Sequence, residues 1–237
     1  MDTDTRTAIV TGGSRGFGRE VALLLAEQGW HVVIDGRDAG TLERTARELG
    51  PTVIPLAGDV ADPHHRLRLV DAAAETGRLD LLLNNASELG PSPLPLLADH
   101  PIDALARIFE VNILAPVGLI QLALPTLAPG GAVISVTSDA AVEPYETWGG
   151  YGASKAALDH ASRILAAELA ASRPDTRVWT LDPGDMRTDM HQAAFPGEDI
   201  SDRADPAEVA PAVLRLLTDR PPSGRLRAAD LLEVAAR

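Results

Sequence analysis

The chain has 237 residues and a formal net charge of −13, because 34 acidic side chains outnumber 21 basic ones. This acidity argues against a protein that binds a nucleic-acid backbone, since such proteins present dense faces of lysine and arginine. Hydrophobic residues make up 45% and charged residues 23% of the chain, a composition that is ordinary for a globular protein and excludes a disordered one. Aromatic residues make up only 3%. The core must therefore be built from aliphatic side chains, which suits helices packed on a buried parallel sheet.

Cysteine is absent, so no disulfide and no thiolate metal site can form, and we expect a reducing, cytoplasmic location. The segment Met1 to Thr7 carries two aspartates and no apolar run, so we expect no targeting signal there. The stretch from Val111 to Ser138 has no charged residue, but its three prolines and a Gly-Gly pair would break a membrane-spanning helix. We predict instead the end of a buried helix, a turn and a core strand.

Short apolar runs alternate with longer amphipathic stretches along the chain, the pattern of repeated β-α-β units. Six runs are predicted as strands, with a weak seventh near Leu226: Thr7–Thr11, His31–Asp35, Thr52–Ala57, Leu79–Asn84, Ala132–Thr137 and Arg177–Asp182. The predicted helices are Phe17–Gln28, Thr41–Leu49, His65–Glu75, Ile102–Leu127 with a break near Pro116, Gly150–Ala171 and Ala207–Thr218. With no linker or repeat, the sequence predicts one doubly wound α/β domain over residues 1–237, with helices on both faces of a single parallel sheet.

Two segments are predicted as long loops, the proline-rich Glu88–His100 and the Asp- and Gly-rich Asp185–Ala204. Long loops in compact domains are usually functional or mobile, and ligands of doubly wound sheets bind beyond the carboxyl ends of the strands. We therefore predict that residues 185–204 form a lid over a substrate.

A glycine-rich turn, Gly12-Gly13-Ser14-Arg15-Gly16-Phe17-Gly18, follows the first predicted strand and precedes a helix. Gly12 would permit the tight turn, Gly16 would let the backbone approach a pyrophosphate, and Gly18 would let the helix pack closely on the sheet. The alternative is a loop that merely needs positive φ angles. The position after the first strand favours a dinucleotide site.

Tyr151 and Lys155 are four residues apart, so that on a helix they share one face. The ordinary pKa of a tyrosine is about 10, and a nearby ammonium would lower it towards values useful for acid–base chemistry at neutral pH. Alone, such a pair is more often a packing contact on a surface helix.

Five further motifs occur in a fixed order and spacing along the chain. They are Asp59-Val60 after the third strand, Asn84-Asn85-Ala86-Ser87 after the fourth, Asn112 in the long helix, Ser138 thirteen residues before Tyr151, and Pro183-Gly184 with Thr188. With T-G-x-x-x-G-x-G at the glycine turn and Y-x-A-S-K at Tyr151, they resemble the motifs of the short-chain dehydrogenase/reductase family from Thr11 to Thr188. Ser87 departs from the family, which has glycine there. The resemblance implies a Rossmann fold and an oxidoreductase that uses a nicotinamide cofactor.

The resemblance also implies a catalytic tetrad of Asn112, Ser138, Tyr151 and Lys155. In ketone reduction Tyr151 would donate its proton to the carbonyl oxygen, and Ser138 would hydrogen-bond the same oxygen. Lys155 would also hold the nicotinamide ribose, and Asn112 would order a proton-relay water. Ser135 and Thr137 are rivals of Ser138 at the end of one strand, and Asn112 alone could be a capping or loop residue.

The predicted cofactor site follows from the same motifs, with Asp59 facing the adenine and Thr188 contacting the nicotinamide carboxamide. Its residues are Gly12, Ser14, Arg15, Gly16, Phe17, Gly18, Arg37, Asp59, Val60, Asn85, Ala86, Tyr151, Lys155, Pro183, Gly184, Met186 and Thr188. The alternative for Thr188 is a simple turn former.

The choice between NADP(H) and NAD(H) is made at the end of the second strand, where a carboxylate would bind the ribose 2′-hydroxyl. Gly36 is predicted at the family's acidic position and Arg37 just after it, where a guanidinium can bind a 2′-phosphate with two hydrogen bonds. Arg15 supplies a second positive charge, so NADP(H) is predicted. The alternative, with the register slipped by one, makes Asp35 the ribose acceptor and Arg37 a surface charge.

Tyr145, Trp148 and His191 are predicted to contact the substrate, the first two because they precede Tyr151 and the third because it lies in the lid. Nearby acidic residues would disfavour a strongly anionic substrate if they face the cleft. His64 and His65 are predicted to lie in a solvated turn at a helix start, and no metal site is predicted. Trp30 and Trp179 are predicted to lie in the core.

The sequence thus predicts an NADPH-dependent carbonyl reductase or alcohol dehydrogenase for a small or medium organic substrate. An NAD-dependent alcohol dehydrogenase, a dehalogenase or lyase without nicotinamide, and a non-catalytic nucleotide sensor are the alternatives. The family usually associates through the helices that precede and carry Tyr151, so a homo-oligomer is expected, a dimer or a tetramer. Arg227-Ala228-Ala229-Asp230 departs from the family's usual C-terminal pattern.

Overall fold

One parallel sheet of seven strands forms the centre of the computed structural model, which describes residues 5–233. The strands are β1 (Thr7–Val10), β2 (His31–Gly36), β3 (Val53–Ala57), β4 (Leu79–Asn84), β5 (Leu127–Val136), β6 (Arg177–Asp182) and β7 (Gly224–Arg227). Their order in the sheet is β3-β2-β1-β4-β5-β6-β7. The order reverses between β1 and β4, and at such a switch point the loops diverge and leave a crevice beyond the carboxyl ends of the strands. The predicted doubly wound fold, including its seventh strand, is confirmed.

Helices cover both faces of the sheet. They are α1 (Gly16–Glu27), α2 (Ala39–Leu49), α3 (Pro63–Thr76), α4 (Ile102–Phe109), α5 (Ala115–Ala123), α6 (Gly149–Ser172), α7 (Asp189–Ala194), α8 (Pro206–Val209), α9 (Pro211–Asp219) and α10 (Ala228–Glu233). Three short turns complete them: 3₁₀ turns at Leu97–Asp99 and Asp139–Ala141, and a π-helical turn at Glu110–Leu114.

Successive strand residues point to opposite faces, which divides the core into two layers. Ala8 and Val10 pack with α1, α2 and α9, whereas Ile9 packs with α3 and α5. Both faces of the strands are apolar, which explains why they occur in the sequence as continuous apolar runs. Trp30 and Trp179 are buried in the first layer, as predicted.

The long central helix differs from the prediction at its end and at its break. It ends at Ala123, not at Leu127, because β5 already begins at Leu127 and not at Ala132. The irregularity is the π-helical turn before Pro116. Proline at the start of α5 needs no hydrogen-bonding N–H, so the helix continues through it.

Within residues 5–233, one helical run, Ile102–Ala123, is long and apolar enough to cross a membrane by length and composition alone. Its residues Leu119, Ile120 and Ala123 are buried in the layer that contains Ile9. We interpret it as a core helix, which agrees with the prediction for the uncharged stretch.

The predicted loops are partly ordered. The segment 185–204 contains the short helix α7, and 88–100 contains a 3₁₀ turn. The hydroxyl of Ser92 donates to the carbonyl oxygen of Ala193 at 2.6 Å and joins the two segments.

Candidate active site and cofactor cleft

A cleft of about 1100 Å³ lies beyond the carboxyl ends of the strands. It is lined by the glycine turn and by the segments that follow β2, β3, β4, β5 and β6. Of the residues predicted for the site, all line the cleft except Gly18 and Asn112. The structure thus brings together one set of side chains from segments that are far apart in sequence.

The glycine turn has the backbone shape that a dinucleotide needs. Gly12 has φ +66° and Gly16 has φ +55°, in the left-handed region that favours glycine. A Cβ on Gly18 would lie 2.4 Å from Nδ2 of Asn85 and 2.5 Å from the carbonyl oxygen of Gly12. Gly18 therefore packs closely against the glycine turn and the loop after β4, and its predicted role in packing the helix on the sheet stays a prediction.

The start of α1 is open to an anion. No side chain caps this helix N-terminus, and its first residues Gly16 and Phe17 line the cleft. Free N–H groups at a helix start, together with the helix dipole, favour a phosphate. The glycine turn therefore fits the pyrophosphate of a dinucleotide.

The loop after β4 is held against the glycine turn by Thr11. The Thr11 hydroxyl oxygen accepts hydrogen bonds from the backbone N–H of Asn85 at 2.9 Å and of Ala86 at 3.0 Å. The Asn85 side chain donates to the carbonyl oxygens of Thr11 at 2.9 Å and Gly12 at 3.2 Å. Asn85 and Ala86 are thus fixed at the wall of the cleft.

Asp35 is not available as a ribose acceptor. Its side chain is buried, Oδ1 accepts the backbone N–H of Gly12 at 2.6 Å, and Oδ2 lies 3.1 Å from Nε2 of His65. Both carboxylate oxygens therefore have partners within the protein. This geometry argues against the alternative register, in which Asp35 binds the ribose.

His65 is fully buried, and its prediction as part of a solvated turn is wrong. Only its neighbour His64 is exposed. The reason is that α3 begins at Pro63 and turns His65 inward, onto Gly58 and Asp35. A Cβ on Gly58 would lie 2.3 Å from Nδ1 of His65, so the glycine there makes room for the ring.

Arg15 and Arg37 both lie at the rim of the cleft, and each forms an ion pair. Arg15 Nη1 is 2.9 Å from Oδ2 of Asp189 in α7, and Arg37 Nη1 is 3.4 Å from Oε2 of Glu88. Both guanidinium groups are more exposed than buried. Exposed pairs of this kind contribute at most about 1 kcal/mol, so an incoming phosphate can displace these carboxylates.

Asp59 and Val60 line the cleft after β3. The carboxylate of Asp59 pairs with Arg107 of α4 and accepts the N–H of Ala61 at 2.9 Å. Partial burial works against its ionisation, but these hydrogen bonds outweigh the burial and hold the pKa of Asp59 below its ordinary value.

Tyr151 and Lys155 lie in the first turns of α6, with Lys155 Nζ 5.4 Å from the centre of the Tyr151 ring. Lys155 donates to the carbonyl oxygen of Val136 at 2.8 Å. Burial lowers the pKa of Lys155 to about 8, against the opposing effect of Asp159. Burial also raises the pKa of Tyr151 strongly, a hydrogen bond with Ser87 lowers it, and the charges of Asp182 and Asp139 raise it further. The pKa of Tyr151 thus lies above its ordinary value, and the lowering expected from the nearby ammonium is wrong here because burial dominates. Tyr151 is therefore a neutral phenol at pH 7, which suits a proton donor.

Ser138 follows β5 at the floor of the cleft, whereas its rivals Ser135 and Thr137 are buried. Its hydroxyl donates to Oδ1 of Asp139 at 3.0 Å and accepts the N–H of Ala140 at 3.2 Å. Of the three hydroxyls at this strand end, exposure to the cleft favours Ser138, although Thr137 also contributes to the wall.

Asn112 lies in the π-helical turn, fully buried behind the cleft. Its Oδ1 accepts the N–H of Glu88 at 2.7 Å and the hydroxyl of Ser87 at 3.2 Å. Its Nδ2 donates to the carbonyl oxygen of Glu88 at 2.8 Å and to the hydroxyl of Ser154 at 2.9 Å. The side chain thus joins the loop after β4 to α6, and any water that Asn112 orders would have to be held by its backbone.

The predicted substrate residues form an aromatic wall beside Tyr151. Trp148 packs edge-on against Tyr151 with ring centres 5.7 Å apart, and Phe195 lies 5.9 Å from Trp148 and 4.9 Å from His191. The Tyr145 hydroxyl donates to Oδ2 of Asp139 at 2.9 Å. The sequence reasoning missed Phe195, which lies at the end of α7; its position in the predicted lid was the only signal.

Other residues that the sequence reasoning missed are polar. Ser87 is only a departure from a motif in the sequence, Arg107 belongs to no motif, and His65 was expected to be solvated. Within residues 5–233, no group of three or more His, Asp or Glu side chains is placed to hold a metal ion.

A family model described as short chain dehydrogenase matches residues 6–199. The short chain dehydrogenase penD of Penicillium thymicola is 35% identical over 213 residues, which are 84% of this chain and 76% of that protein. A short chain dehydrogenase from Shigella flexneri, solved in complex with NADP, superposes with a TM-score of 0.87 at 28% sequence identity. The match covers 94% of this chain and 97% of the Shigella chain. A similar dehydrogenase from Escherichia coli CFT073, solved with NADPH, gives a TM-score of 0.86 at 29% identity, with 94% and 96% covered.

A parallel sheet with a glycine-rich turn at its switch point defines a dinucleotide-binding oxidoreductase fold. The chain belongs to the short-chain dehydrogenase/reductase family, whose members bind a nicotinamide cofactor.

Proposed function

We propose that this protein is an NADPH-dependent carbonyl reductase, and in reverse an alcohol dehydrogenase, for a small or medium organic substrate. The observation that carries the proposal is that Ser138, Tyr151 and Lys155 line the same cleft as the glycine turn. A substrate held against the Trp148 wall would lie next to the phenol that must give up a proton.

The preference for NADP(H) is supported by three observations. Asp35 has both oxygens engaged, Arg15 and Arg37 stand at the rim of the cleft, and two structural neighbours were solved with NADP or NADPH. A carboxylate at the ribose end would favour NAD(H), whereas guanidinium groups favour a 2′-phosphate.

The chain's own residues would perform the acid–base part of the reaction. Bound NADPH supplies the hydride. Tyr151 donates its proton to the carbonyl oxygen, and its neutral state at pH 7 provides that proton. Ser138 turns from Asp139 to donate a hydrogen bond to the same oxygen, so that the developing alkoxide is held by two groups. Lys155, buried and held by Val136, orients the nicotinamide ribose and stabilises the phenolate by its charge.

The test combines a binding and a turnover measurement on the purified protein. NADP⁺ at a hundred times its Kd should raise the unfolding free energy by about 2.7 kcal/mol, and NAD⁺ at the same concentration should raise it less. A panel of ketones is then screened for NADPH oxidation at 340 nm. Tyr151→Phe should abolish turnover and leave the NADP⁺ effect intact, whereas Tyr145→Phe, at the only other tyrosine, should reduce turnover at most a few-fold.

Each outcome assigns a different function. A stabilising effect of NAD⁺ alone would favour the NAD-dependent alcohol dehydrogenase. Stabilisation by NADP⁺ without turnover of any ketone would favour a nucleotide sensor, and retained turnover in Tyr151→Phe would remove Tyr151 from the mechanism.

The lid over residues 185–204 and the homo-oligomer are part of the proposal. Ile102, Leu114 and Ile164 are exposed apolar residues on helices that precede or carry Tyr151, and this supports association through those helices. Light scattering that gives a monomer mass at micromolar concentration would contradict it. A cytoplasmic location stays a prediction from the absence of cysteine.

A further inference from the structure

Arg225, on the last strand of the sheet, contacts three different segments of the candidate site. Its Nη1 lies 3.2 Å from Oδ2 of Asp159 in α6, and its Nη2 lies 2.7 Å from Oδ2 of Asp182 at the end of β6. The same Nη2 donates to the carbonyl oxygen of Ser138 at 3.1 Å. The guanidinium is about one fifth exposed and the two carboxylates are at least nine-tenths buried.

The strand pairing explains how one side chain reaches all three partners. Arg225 pairs with Thr180 in the parallel ladder of β6 and β7. Asp182 lies two residues beyond Thr180 and therefore on the same face of the sheet. α6 packs on β6 and β7 over this face, which brings Asp159 within reach.

Each partner of Arg225 either belongs to the proposed catalytic tetrad or acts by its charge on a member of it. Asp159 lies one helical turn after Lys155 and acts on its charge. The charge of Asp182 raises the pKa of Tyr151, and its Oδ1 accepts the N–H of Gly184 at 3.0 Å in the turn that lines the cofactor cleft. Ser138 carries the hydroxyl proposed to bind the substrate oxygen.

We propose that Arg225 is a positioning residue, which fixes the backbone of Ser138 and neutralises two buried carboxylates, Asp159 beside Lys155 in α6 and Asp182 at the end of β6. The proposal rests on the function proposed above, since it gives Arg225 its role through that tetrad. Arg225 itself does not line the cleft and touches no substrate.

The charges around the pair define what removal of Arg225 would do. Among described residues, Asp159 acts on Lys155, and Asp182 and Asp139 act on Tyr151. Without the guanidinium, Asp159 and Asp182 would lose their shared positive partner. Both carboxylates would then favour the protonated forms of the ammonium and of the phenol more strongly, so both groups would keep their protons to higher pH.

Lys155 offers a readout that needs no substrate, because it is the only lysine in the chain. Protein labelled with ¹³C-lysine gives one Cε signal, whose chemical shift reports ionisation of Lys155 alone. In the wild type the titration midpoint is expected at about pH 8. Arg225→Met should raise the midpoint by roughly one pH unit, and Asp159→Asn should lower it by a similar amount.

Arg227→Met is the matched control, since Arg227 lies two residues further along the same strand and is exposed. It should leave both the titration midpoint and the melting temperature unchanged. If Arg225→Met does not fold, Arg225→Met/Asp182→Asn removes one of the two unpaired carboxylates, and its Lys155 midpoint should still lie above that of the wild type.

Ketone reduction gives the second readout. The pH above which turnover falls should move upward in Arg225→Met, because Tyr151 keeps its proton longer, and should return towards the wild type when Asp182→Asn is added. A lower melting temperature with an unchanged Lys155 midpoint and pH profile would overturn the proposal and leave Arg225 a structural residue. A Lys155 midpoint that rises in Arg225→Met and falls in Asp159→Asn, without turnover of any ketone, would support the charge network. The same result would contradict the proposed function.

Discussion

Asp35 and His65 form a buried pair beneath the cofactor cleft, with Oδ2 of Asp35 3.1 Å from Nε2 of His65. Arg68 donates to Nδ1 of the same ring at 2.9 Å, so the proton of the neutral imidazole lies on Nε2 and is donated to Asp35. The other oxygen of Asp35 accepts the N–H of Gly12. The glycine turn is thus supported from below by a carboxylate that is itself held by a histidine.

Replacing His65 by Leu should destabilise the fold. The substitution leaves a buried carboxylate with one oxygen unpartnered, and a buried charged group that loses its hydrogen-bond partner costs about 3 kcal/mol. Urea unfolding should show this loss, with a fall in melting temperature of about 2–4 °C per kcal/mol for a chain of this size. His64→Ala, at the exposed neighbour, should change stability by no more than about 0.5 kcal/mol. Equal effects of the two substitutions would contradict the buried pair.

Gly18→Ala should weaken NADP⁺ binding by roughly tenfold or more, equivalent to at least about 1.4 kcal/mol. The added Cβ would clash with Asn85 and with the carbonyl oxygen of Gly12, and the turn would have to move away from the phosphates. Gly40→Ala is the control, because a Cβ there has no heavy atom within 3.6 Å and lies at the start of α2. Isothermal titration calorimetry measures the NADP⁺ affinity of both variants. An unchanged affinity in Gly18→Ala would show that close packing at Gly18 does not shape the phosphate site.

Arg37→Ala should change the preference between cofactors. Losing a charge-assisted contact to the 2′-phosphate costs about 1.5–3 kcal/mol, so the Kd of NADPH should rise about 10- to 100-fold while that of NADH changes little. Arg47→Ala, on the exposed face of α2, should alter neither constant. Fluorescence titration with both nucleotides measures the ratio of the two Kd values. A ratio equal to that of the wild type would contradict the assignment of Arg37 to the 2′-phosphate.

Ser87→Ala should move the pH dependence of ketone reduction. The Ser87 hydroxyl lowers the pKa of Tyr151, so its removal raises that pKa. Because the protonated phenol is the donor, turnover should persist to higher pH in the variant. The oxygen of the Asn112 side chain keeps its bond from the N–H of Glu88, so the loop should stay in place. A profile that moves to lower pH would contradict this role of Ser87.

The apolar pattern sufficed to predict the sheet and most helices. The strands β1, β2 and β4 are largely buried and stand out as apolar runs, and the edge strand β3 is apolar but only partly buried. The predicted bounds of all four lie within two residues of the observed ones. The start of β5 was not predicted. Its first five residues, Leu127 to Gly131, include a proline and two glycines, which are typical of a turn. The register with β4 shifts at that point, which no periodicity reveals.

The candidate site was predictable where short motifs define it, and not where side chains meet by folding alone. The glycine turn and the Tyr151–Lys155 spacing are local and can be found in the sequence. The contact of His65 with Asp35 joins residues 30 positions apart, and that of Arg225 with Ser138 joins residues 87 positions apart. Neither contact leaves a periodic signal, because each depends on how two strands or a helix and a strand are placed side by side.

β7 lies at the edge of the sheet and is the last strand within residues 5–233. The glycine turn, Ser138, Tyr151 and Lys155 all precede it in the chain, so the ribosome delivers them before residue 224 is made. Until Arg225 is added, Asp159 and Asp182 lack the guanidinium with which both pair in the folded protein. Synthesis of β7 therefore supplies the shared counter-charge of the candidate site, and a chain cut short before residue 224 should be caught as an assembly intermediate that lacks it.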